Sequence, residues 1–528
     1  MKEKMKILKS PFVPVVLLIA NALGAVLYYA ARASWVFLDI TFNVESFTFG
    51  VLYAMIANAV LLCAVAGIGI HGLTLKNEKI SDKKWYNVLL TISSVFAVLY
   101  FIIGVVFLCR MAGTESFYSF LLSLKQSLPD AAFFMFVPFL AVFFPKLKCR
   151  TKKIVISIAL VAVTVIGVVK IFPVVPYKIT SNPTVIDTGS AYSVVFSTND
   201  YGTGYVEYTY NGKEYKVYDE TAGRLNTDSK IHSICVPYEH LEDNTYKVGS
   251  VRVIEQYSYG SRTGKEVVSD EYNFNTVSGD DITYLVISDW HTKLENAYNA
   301  VSYVGDYDAI LLMGDATPGV DFEEEAVKNI VEFAGVLSKG SMPVLYTRGN
   351  HETRGEYAND LLTALGLDEF YYTADMGNYS FVVLDSGEDK DDSHAEYGGM
   401  NDYNTYRAEM IEWLENVEVN NDKVIVLSHS YKISDVETEL SDAGWNEIDR
   451  LGARLIISGH THACRLIGEG SDREKDLMAA HPGIVGYMDG GKAGKGYVAS
   501  KMILSKEKIV LEAYSNSGEK VFDHSIEW

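Results

Sequence analysis

The sequence predicts a multidomain protein with an α-helical membrane region, an all-β sandwich and a layered α/β domain, in that order. Three observations indicate this. Long apolar runs are confined to the first third of the 528 residues, strand-like alternation follows, and short charge-free runs separated by helical segments fill the remainder. A single core rarely exceeds about 250–300 residues, so a chain of this length is expected to divide into domains.

Five apolar runs predict a membrane domain over residues 1–175. They lie at about 11–31, 47–73, 86–109, 130–145 and 154–173. A spanning helix needs about 20 mostly apolar residues, and only the fourth run, which is short and contains Pro138, falls below that length. No charge lies well inside the runs, so a plain anchor is expected, with a lipid-binding or regulatory role as the alternative.

Charge predicts how this region is oriented. Residues 1–175 hold 17 basic and 7 acidic residues, a net of +10, and the remainder holds 29 and 60, a net of −31, which together give −21. Basic residues cluster at the N-terminus and in alternate loops, which indicates that these segments are cytoplasmic. Five spans then predict a multi-pass protein of a bacterial plasma membrane, with the lipid bilayer as a partner and everything after Phe172 outside the cytoplasm. The acidic part argues against a nucleic-acid scaffold as a partner.

Residues 178–278 predict the all-β sandwich, similar to a fibronectin III domain. Apolar and polar residues alternate through at least six strand-like runs rich in Tyr, Val and Thr. Asn211-Gly212 joins two of these runs and is a strong signal for a two-residue hairpin. No helical period interrupts the pattern, which is typical of a sandwich of about 100 residues.

Residues 282–528 predict the layered α/β domain. Six short apolar runs are mostly bare of charge, as strands covered on both faces should be. Helical segments lie between several of them, including residues 321–339 and 406–417. Met410 and Trp413 in the second segment are expected to be core residues. The pattern favours a sheet layered with helices.

Reactive side chains follow five of these runs. Ligands bind outside the carboxyl ends of strands in such sheets, so residues at these ends are candidates for a site. The residues are, run by run, Asp289 and His291; Asp315; Arg348, Asn350 and His351; His429; and His460 and His462. Asp and Asn at a strand end are usually turn residues. Imidazole or carboxylate groups at five successive strand ends, however, favour one shared site.

The spacing of these residues predicts a metal centre. In Asp-x-His and His-x-His, alternate side chains of an extended segment point to the same side, so both can reach one ion. Mixed imidazole and carboxylate ligands suit Mn, Fe or Zn better than Ca or Mg. Seven ligands are too many for one tetrahedral ion but fit two ions that share a carboxylate.

The motif order D-x-H, G-D, G-N-H-E, H and G-H-x-H resembles that of the calcineurin-like metallophosphoesterase family, over about residues 282–528. The resemblance implies two ligand sets joined by a bridging carboxylate: Asp289, His291 and His462 for one ion, Asn350, His429 and His460 for the other, and Asp315 between them. It also implies that His351 is the acid or polarising group near the leaving oxygen.

A preceding β-sandwich together with G-N-H-E is most similar to the purple acid phosphatase branch of that family. That branch has a tyrosine ligand three residues after the bridging aspartate, where this chain has Pro318. A phenolate cannot bind there, so a stable purple Fe(III) centre is not expected. Two divalent or mixed-valence ions of Fe, Mn or Zn are implied instead.

Arg348 and Arg354 flank the Asn-His pair. A guanidinium matches phosphate in a bidentate way, so both arginines are candidate catalytic residues that neutralise substrate charge. The alternative is that they form ion pairs with the acidic surface. The acidic, irregular segment 385–404 is expected to be functional or disordered, and as a loop over the cleft it would repel highly anionic substrates.

These features predict a membrane-anchored extracytoplasmic enzyme, a binuclear metal-dependent phosphoric ester hydrolase. Two metal ions about 4 Å apart can clamp phosphoryl oxygens and generate a hydroxide nucleophile at neutral pH. Phosphomonoesters are the favoured substrates, with a phosphodiesterase or pyrophosphatase acting on nucleotide, lipid or cell-envelope phosphates as the alternative. A catalytically silent metal-binding sensor or adhesion module is the alternative of another class, and the complete ligand set disfavours it.

Overall fold

A computed structural model describes residues 175–257, 260–434, 436–491 and 496–528. Residues 177–254 and 263–528 form one compact unit. The strands are β1 (Thr184–Asp187), β2 (Tyr192–Tyr210), β3 (Lys213–Tyr218), β4 (Glu220–Thr221), β5 (Arg224–Leu225), β6 (Ser229–Val236), β7 (Thr245–Tyr257), β8 (Gly260–Val268), β9 (Tyr272–Asn273), β10 (Ile282–Ile287), β11 (Ala309–Leu312), β12 (Pro343–Tyr346), β13 (Tyr372–Met376), β14 (Tyr379–Leu384), β15 (Val424–Ser428), β16 (Ala453–Ser458), β17 (Arg465–Leu466), β18 (Val485–Met488), β19 (Val498–Leu504), β20 (Lys508–Ser515) and β21 (Lys520–Glu527).

The α-helices of the same residues are α1 (Tyr238–Leu241), α2 (Leu294–Val304), α3 (Glu323–Ala326), α4 (Glu332–Ser338), α5 (Leu361–Leu365), α6 (Tyr403–Glu415), α7 (Thr438–Arg450) and α8 (Asp472–Ala480). A π-helical turn, Val327–Val331, joins α3 to α4. Short 3-10 turns lie at His351–Thr353, Glu356–Asn359 and Ala395–Tyr397.

The larger sheet carries the first three strand ends of the candidate site. Its main path runs β21-β20-β19-β10-β11-β12-β1-β2-β7-β8, with β3 and β6 paired to β2 and β9 paired to β7. Strands β10, β11 and β12 are mutually parallel, so their carboxyl ends lie at one edge. Their residues are almost all buried, as expected for strands covered on both faces.

The smaller sheet carries the other two strand ends. Its order is β13-β14-β15-β16-β18-β17, and β14, β15, β16 and β18 are parallel. Buried residues of the two sheets pack in one apolar cluster, for example the rings of Tyr284 and Phe381, whose centroids are 5.3 Å apart. Helices α6 and α7 contribute to a second cluster with the smaller sheet, and it includes Met410 with Trp413 packed against it.

Several predicted elements are confirmed. All six apolar runs after residue 281 form strands, and both helical segments contain helices. Asn211 and Gly212, with φ of 51° and 76°, connect β2 to β3, and Tyr210 is opposite Lys213. A two-residue turn with positive φ at both positions matches the twist of the flanking strands, which explains the hairpin.

The predicted fold class is wrong in treating the sandwich as an all-β unit followed by a separate α/β unit. Strand β1 pairs in parallel with β12, with Val185 opposite Pro343 and Ile186 opposite Val344. One sheet therefore runs through both segments, and the described chain has a mixed α/β fold. The four residues of β1 are all buried, as expected for a strand that is covered on both faces.

The predicted membrane-spanning helical region is not part of this fold. No helix within the described ranges is long and apolar enough to cross a membrane. The five predicted spans, and with them the predicted contact with the lipid bilayer, lie outside the described residues. The proposed boundaries at 178–278 and 282–528 stay predictions about sequence segments.

Candidate metal centre

Loops after β10, β11 and β16 bring together the first predicted ligand set. One ligand atom from each of Asp289, His291, Asp315 and His462 lies within 4.8 Å of the others. Nε2 of His462 is 3.3 Å from Oδ1 of Asp289 and 3.1 Å from Nε2 of His291. Four donors converging from three strand ends make a compact candidate metal site.

The second set also includes Asp315. One ligand atom from each of Asp315, His429 and His460 also lies within 4.8 Å of the others. Nε2 of His429 is 3.2 Å from Oδ2 of Asp315, and Nδ1 of His460 is 3.1 Å from Oδ1 of the buried Asn350. Asp315 belongs to both sets, which is the arrangement that a bridging carboxylate requires.

The backbone at these positions is strained. Among the described residues, Asp289, His291, Asp315, His460 and His462 all have φ between 37° and 64°. A residue with a side chain rarely adopts this left-handed region, and such strain clusters where a site over-determines the conformation. Five of the seven predicted ligands share this property, which supports their grouping in one functional site.

Burial and charge act against each other on Asp315 and His429. Burial lowers the pKa of His429, but the Asp315 carboxylate outweighs burial and raises it. Burial likewise raises the pKa of Asp315, and His429 and His351 together bring it below its usual range. The two groups therefore form a buried ion pair. Since a histidine ligand must be neutral, a metal ion that binds here displaces the His429 proton.

The donor set fits metal ions. Within the described part of the chain, Oδ1 of Asp289 and Nε2 of His429 are buried atoms that make no hydrogen bond. Each lies within ion-pair distance of another ligand: Oδ1 of Asp289 is 3.3 Å from Nε2 of His462, and Nε2 of His429 is 3.2 Å from Oδ2 of Asp315. Nδ1 of His429 lies 2.6 Å from the carbonyl of Met313, so this nitrogen carries the proton that it donates and Nε2 is the ligand atom. Imidazole and carboxylate donors of this kind suit Mn, Fe or Zn.

Glu352 holds two of the ligand-bearing loops together. Its buried carboxylate accepts hydrogen bonds from the backbone N–H groups of Asp315, Ala316 and Gly349 at 2.8, 2.6 and 2.9 Å. A fourth N–H, from Thr317, lies at 3.3 Å. The loop after β11 and the loop after β12 are thus joined through one side chain.

His351 stands at the open side of the centre. Its Nδ1 lies 2.9 Å from the carbonyl of Pro318, and its Nε2 lies 3.9 Å from Oδ2 of Asp315. Its side chain is 28% exposed, so solvent or a substrate can reach it. When Nδ1 donates to Pro318, Nε2 is left to face the ligand cluster, where it can hold or release a proton.

Both candidate arginines are engaged in ion pairs. Arg348 is buried, contacts the carboxylate of Asp385 and lies over the ring of Phe370 at 4.1 Å. Arg354 contacts the carboxylate of Glu388 through two nitrogens. The geometry of Arg354 corresponds to the ion-pair alternative, because two of its nitrogens are occupied by Glu388. Arg348 contacts Asp385 through one nitrogen only, and its Nε is buried without a hydrogen-bond partner.

The residues that sequence reasoning missed are Glu352, Asp385 and Glu388. Glu352 lies in the G-N-H-E motif, and its buried, acceptor-only role gives no signal in a single sequence. Asp385 and Glu388 begin the acidic segment, and their partners lie 37 and 34 residues earlier. Only the fold shows that these carboxylates are structural.

Comparisons with known proteins agree with this geometry. Residues 282–464 match the family model of calcineurin-like phosphoesterases. No curated protein sequence matches the chain at a significant level.

Two solved structures are similar in part. Purple acid phosphatase PPD1, isolated from yellow lupin (Lupinus luteus) seeds, is 13% identical over 66% of this chain and 74% of that chain, with a TM-score of 0.42. The structure of PhoD is 12% identical over 67% of this chain and 94% of that chain, with a TM-score of 0.40. Over residues 282–464, about a third of the chain, the sequence is therefore similar to the calcineurin-like phosphoesterases.

Proposed function

We propose that the chain is a binuclear metal-dependent phosphoesterase with a preference for phosphomonoesters. The observation that carries this proposal is the position of Asp315, whose carboxylate belongs to both ligand sets. When bound, two ions would polarise the phosphoryl oxygens and lower the pKa of a water molecule. Asp289, His291 and His462 would hold one ion, and Asn350, His429 and His460 the other, with Asp315 between them.

The protein's own groups supply orientation and proton transfer. The Pro318 carbonyl orients the His351 ring, so that Nε2 is directed toward the ligand cluster. In this proposal His351 holds the proton that the leaving oxygen receives. Arg348 and Arg354 act indirectly, by fixing the turn that carries Asn350 and His351.

The test uses the purified full-length chain, stripped of metal and reloaded with Mn, Fe or Zn. Turnover of a phosphomonoester and a phosphodiester of the same chromophore is then compared. Metal-dependent turnover with the monoester ahead supports the proposal, and a diester preference moves it to the phosphodiesterase alternative. No turnover with any metal, from a chain that binds two ions, would favour the silent metal-binding module.

The extracytoplasmic location of the catalytic domain stays a prediction. A reporter fused after Trp528 tests it, because a cytoplasmic signal would contradict that location.

A further inference from the structure

A second pocket of the molecule shares no residue with the candidate metal centre. It lies where the end of β1 and the start of β2 meet α1, the linker before β10 and the β13–β14 hairpin, all within the one compact unit. Its volume is about 710 Å³, which is in the range of small-molecule sites. None of the seven predicted metal ligands lines it.

The charged residues that line this pocket are all of one sign. They are Asp187, Glu242, Asp243, Asp375 and Glu418, and none of the described residues of the lining is Lys, Arg or His. Within the described ranges, no basic side chain forms an ion pair with any of these five carboxylates. The negative charge of the lining is therefore not balanced by a cation of the chain.

Asp187 is the buried member of the group. It is 2% exposed, whereas the other four carboxylates belong to exposed residues at the rim. Its Oδ1 accepts hydrogen bonds from the Tyr238 hydroxyl at 2.6 Å and the Gly189 N–H at 2.9 Å, but no described residue donates to Oδ2. A buried carboxylate is stable in its charged form only when it is paired. Because Asp187 lines the pocket, a cationic ligand there would supply the missing partner.

The lining carboxylates act together on the buried end of the pocket. Burial raises the pKa of Asp187, and the charge of Asp375 adds to that effect. Burial also raises the pKa of Tyr192, and three lining carboxylates, Glu242 and Asp243 among them, add to it. Four of the five carboxylates thus contribute to one negative field.

The spacing of these carboxylates does not suit a single metal ion. In the part of the chain that the structure describes, only the two ligand sets of the metal centre bring three or more Asp, Glu, His or Cys ligand atoms within 4.8 Å of one another. No three carboxylates of the pocket therefore converge as the ligands of Ca²⁺ must. Charges spread over a pocket match a ligand whose positive charges are spread in the same way.

An alkyl polyamine has that form. Its terminal ammonium groups each carry three hydrogen-bond donors, and methylene segments separate its charges. The lining also offers apolar surface to such segments, from Val277, Met376 and Val419. The rings of Tyr192 and Tyr238, whose centroids are 4.7 Å apart, line the same pocket, and aromatic faces attract a cation.

We propose that this pocket binds an alkyl polyamine, with one terminal ammonium group paired to Asp187 and the other positive charges held by the carboxylates of the rim. The inference goes beyond the proposed function and does not depend on it, because no predicted metal ligand takes part.

The test is isothermal titration calorimetry of the metal-loaded full-length chain with spermidine. We expect one spermidine per chain. Asp187→Asn keeps the size of the side chain and one acceptor oxygen, and it should weaken the Kd about 10- to 100-fold, as expected when a hydrogen bond to a charged group is lost. Asp306→Asn is the matched control, because it makes the same change in net charge at an exposed residue outside the pocket. Its Kd should equal that of the wild type.

Glu418→Gln tests the rim independently of the buried carboxylate. It should weaken the Kd about 2- to 5-fold, the size expected for an exposed ion pair, and the effect should shrink in high salt. Glu415→Gln, an exposed change outside the pocket three residues earlier, is its control and should have no effect.

A wild type that does not bind spermidine would overturn the inference, and so would an unaltered Kd in both Asp187→Asn and Glu418→Gln. Equal weakening in Asp187→Asn and Asp306→Asn would also overturn it, since the effect would then be one of net charge. A parallel titration with Ca²⁺ separates the two kinds of cation. Ca²⁺ binding that Asp187→Asn abolishes, without spermidine binding, would replace the polyamine site by a metal site. None of these results depends on whether the chain hydrolyses a phosphate ester.

Discussion

The backbone N–H of Asp315 donates a 2.8 Å hydrogen bond to Oε2 of Glu352, and that carboxylate also accepts the N–H of Gly349. The loop with the shared carboxylate and the loop with Asn350 and His351 are therefore held in register by a buried side chain that contacts none of the ligand atoms. Burial and the nearby Asp315 raise the pKa of Glu352. Both carboxylate oxygens of Glu352 nevertheless act as acceptors, because two backbone N–H groups point at Oε1 and two at Oε2.

Glu352→Gln should consequently disturb both loops. The amide places an NH2 group against backbone N–H donors, and each buried donor left without a partner costs about 1–3 kcal/mol. We expect a lower free energy of unfolding together with weaker metal binding, measured by urea denaturation and by metal titration. Glu356→Gln, an exposed change four residues later, is the control. A Glu352→Gln variant with wild-type metal affinity would show that the loops do not need this anchor.

We expect Arg348 to stabilise the folded protein and not to bind the substrate. Arg348→Met leaves the Asp385 carboxylate buried without its cation, which costs about 3–5 kcal/mol in such pairs. Adding Asp385→Asn removes the unpaired charge, so the double variant should recover part of the loss in the free energy of unfolding. If Arg348 instead grips phosphate, the single variant would show an increased KM with ordinary stability.

His351 should matter most when the leaving group is poor. An alkyl phosphate needs a proton on its leaving oxygen, whereas p-nitrophenolate leaves without one. General acid catalysis contributes about 10²–10⁴-fold, so His351→Asn should lower kcat by that order for an alkyl ester and by much less for the nitrophenyl ester. Equal losses for both esters would argue that His351 polarises the phosphate without donating a proton.

Asp187 predicts a pH dependence of stability remote from the metal centre. It lies in β1, is 2% exposed, and accepts hydrogen bonds from the Tyr238 hydroxyl at 2.6 Å and the Gly189 N–H at 2.9 Å. Burial raises its pKa from 3.8 to about 6. The folded protein thus keeps this carboxyl protonated at a pH where the unfolded chain has already lost the proton.

The contribution of Asp187 to stability is therefore present below about pH 4 and lost as pH rises to about 6. Two pKa units correspond to about 3 kcal/mol. Asp187→Asn keeps an acceptor oxygen and cannot ionise. The free energy of unfolding of the variant, relative to that of the wild type, should therefore increase between pH 4 and pH 6 and stay constant above pH 6. Parallel stability curves for the two proteins would show that Asp187 titrates normally.

Much of the site could be predicted because its residues follow strands whose carboxyl ends meet. Asp289, Asp315 and His429 could be predicted because each follows an apolar run that reads as a strand, and because such sheets bind ligands at the carboxyl ends of their strands. The arginine partners could not be predicted in this way, since the Arg348–Asp385 contact depends on how two sheets face each other. The pairing of β1 with β12 was missed for a similar reason, because a four-residue apolar strand does not reveal its neighbour.

The most direct test of the shared-carboxylate centre is the number of metal ions bound per chain, measured by elemental analysis in the wild type and in Asp315→Asn. The wild type is expected to bind two ions and to hydrolyse a phosphomonoester only when loaded. The variant should lose at least one ion and about 10³-fold or more in turnover, since polarisation by metal supplies several kcal/mol and each 1.36 kcal/mol is a factor of ten. An Asp315→Asn chain that binds two ions and turns over at the wild-type rate would contradict the bridging role of Asp315.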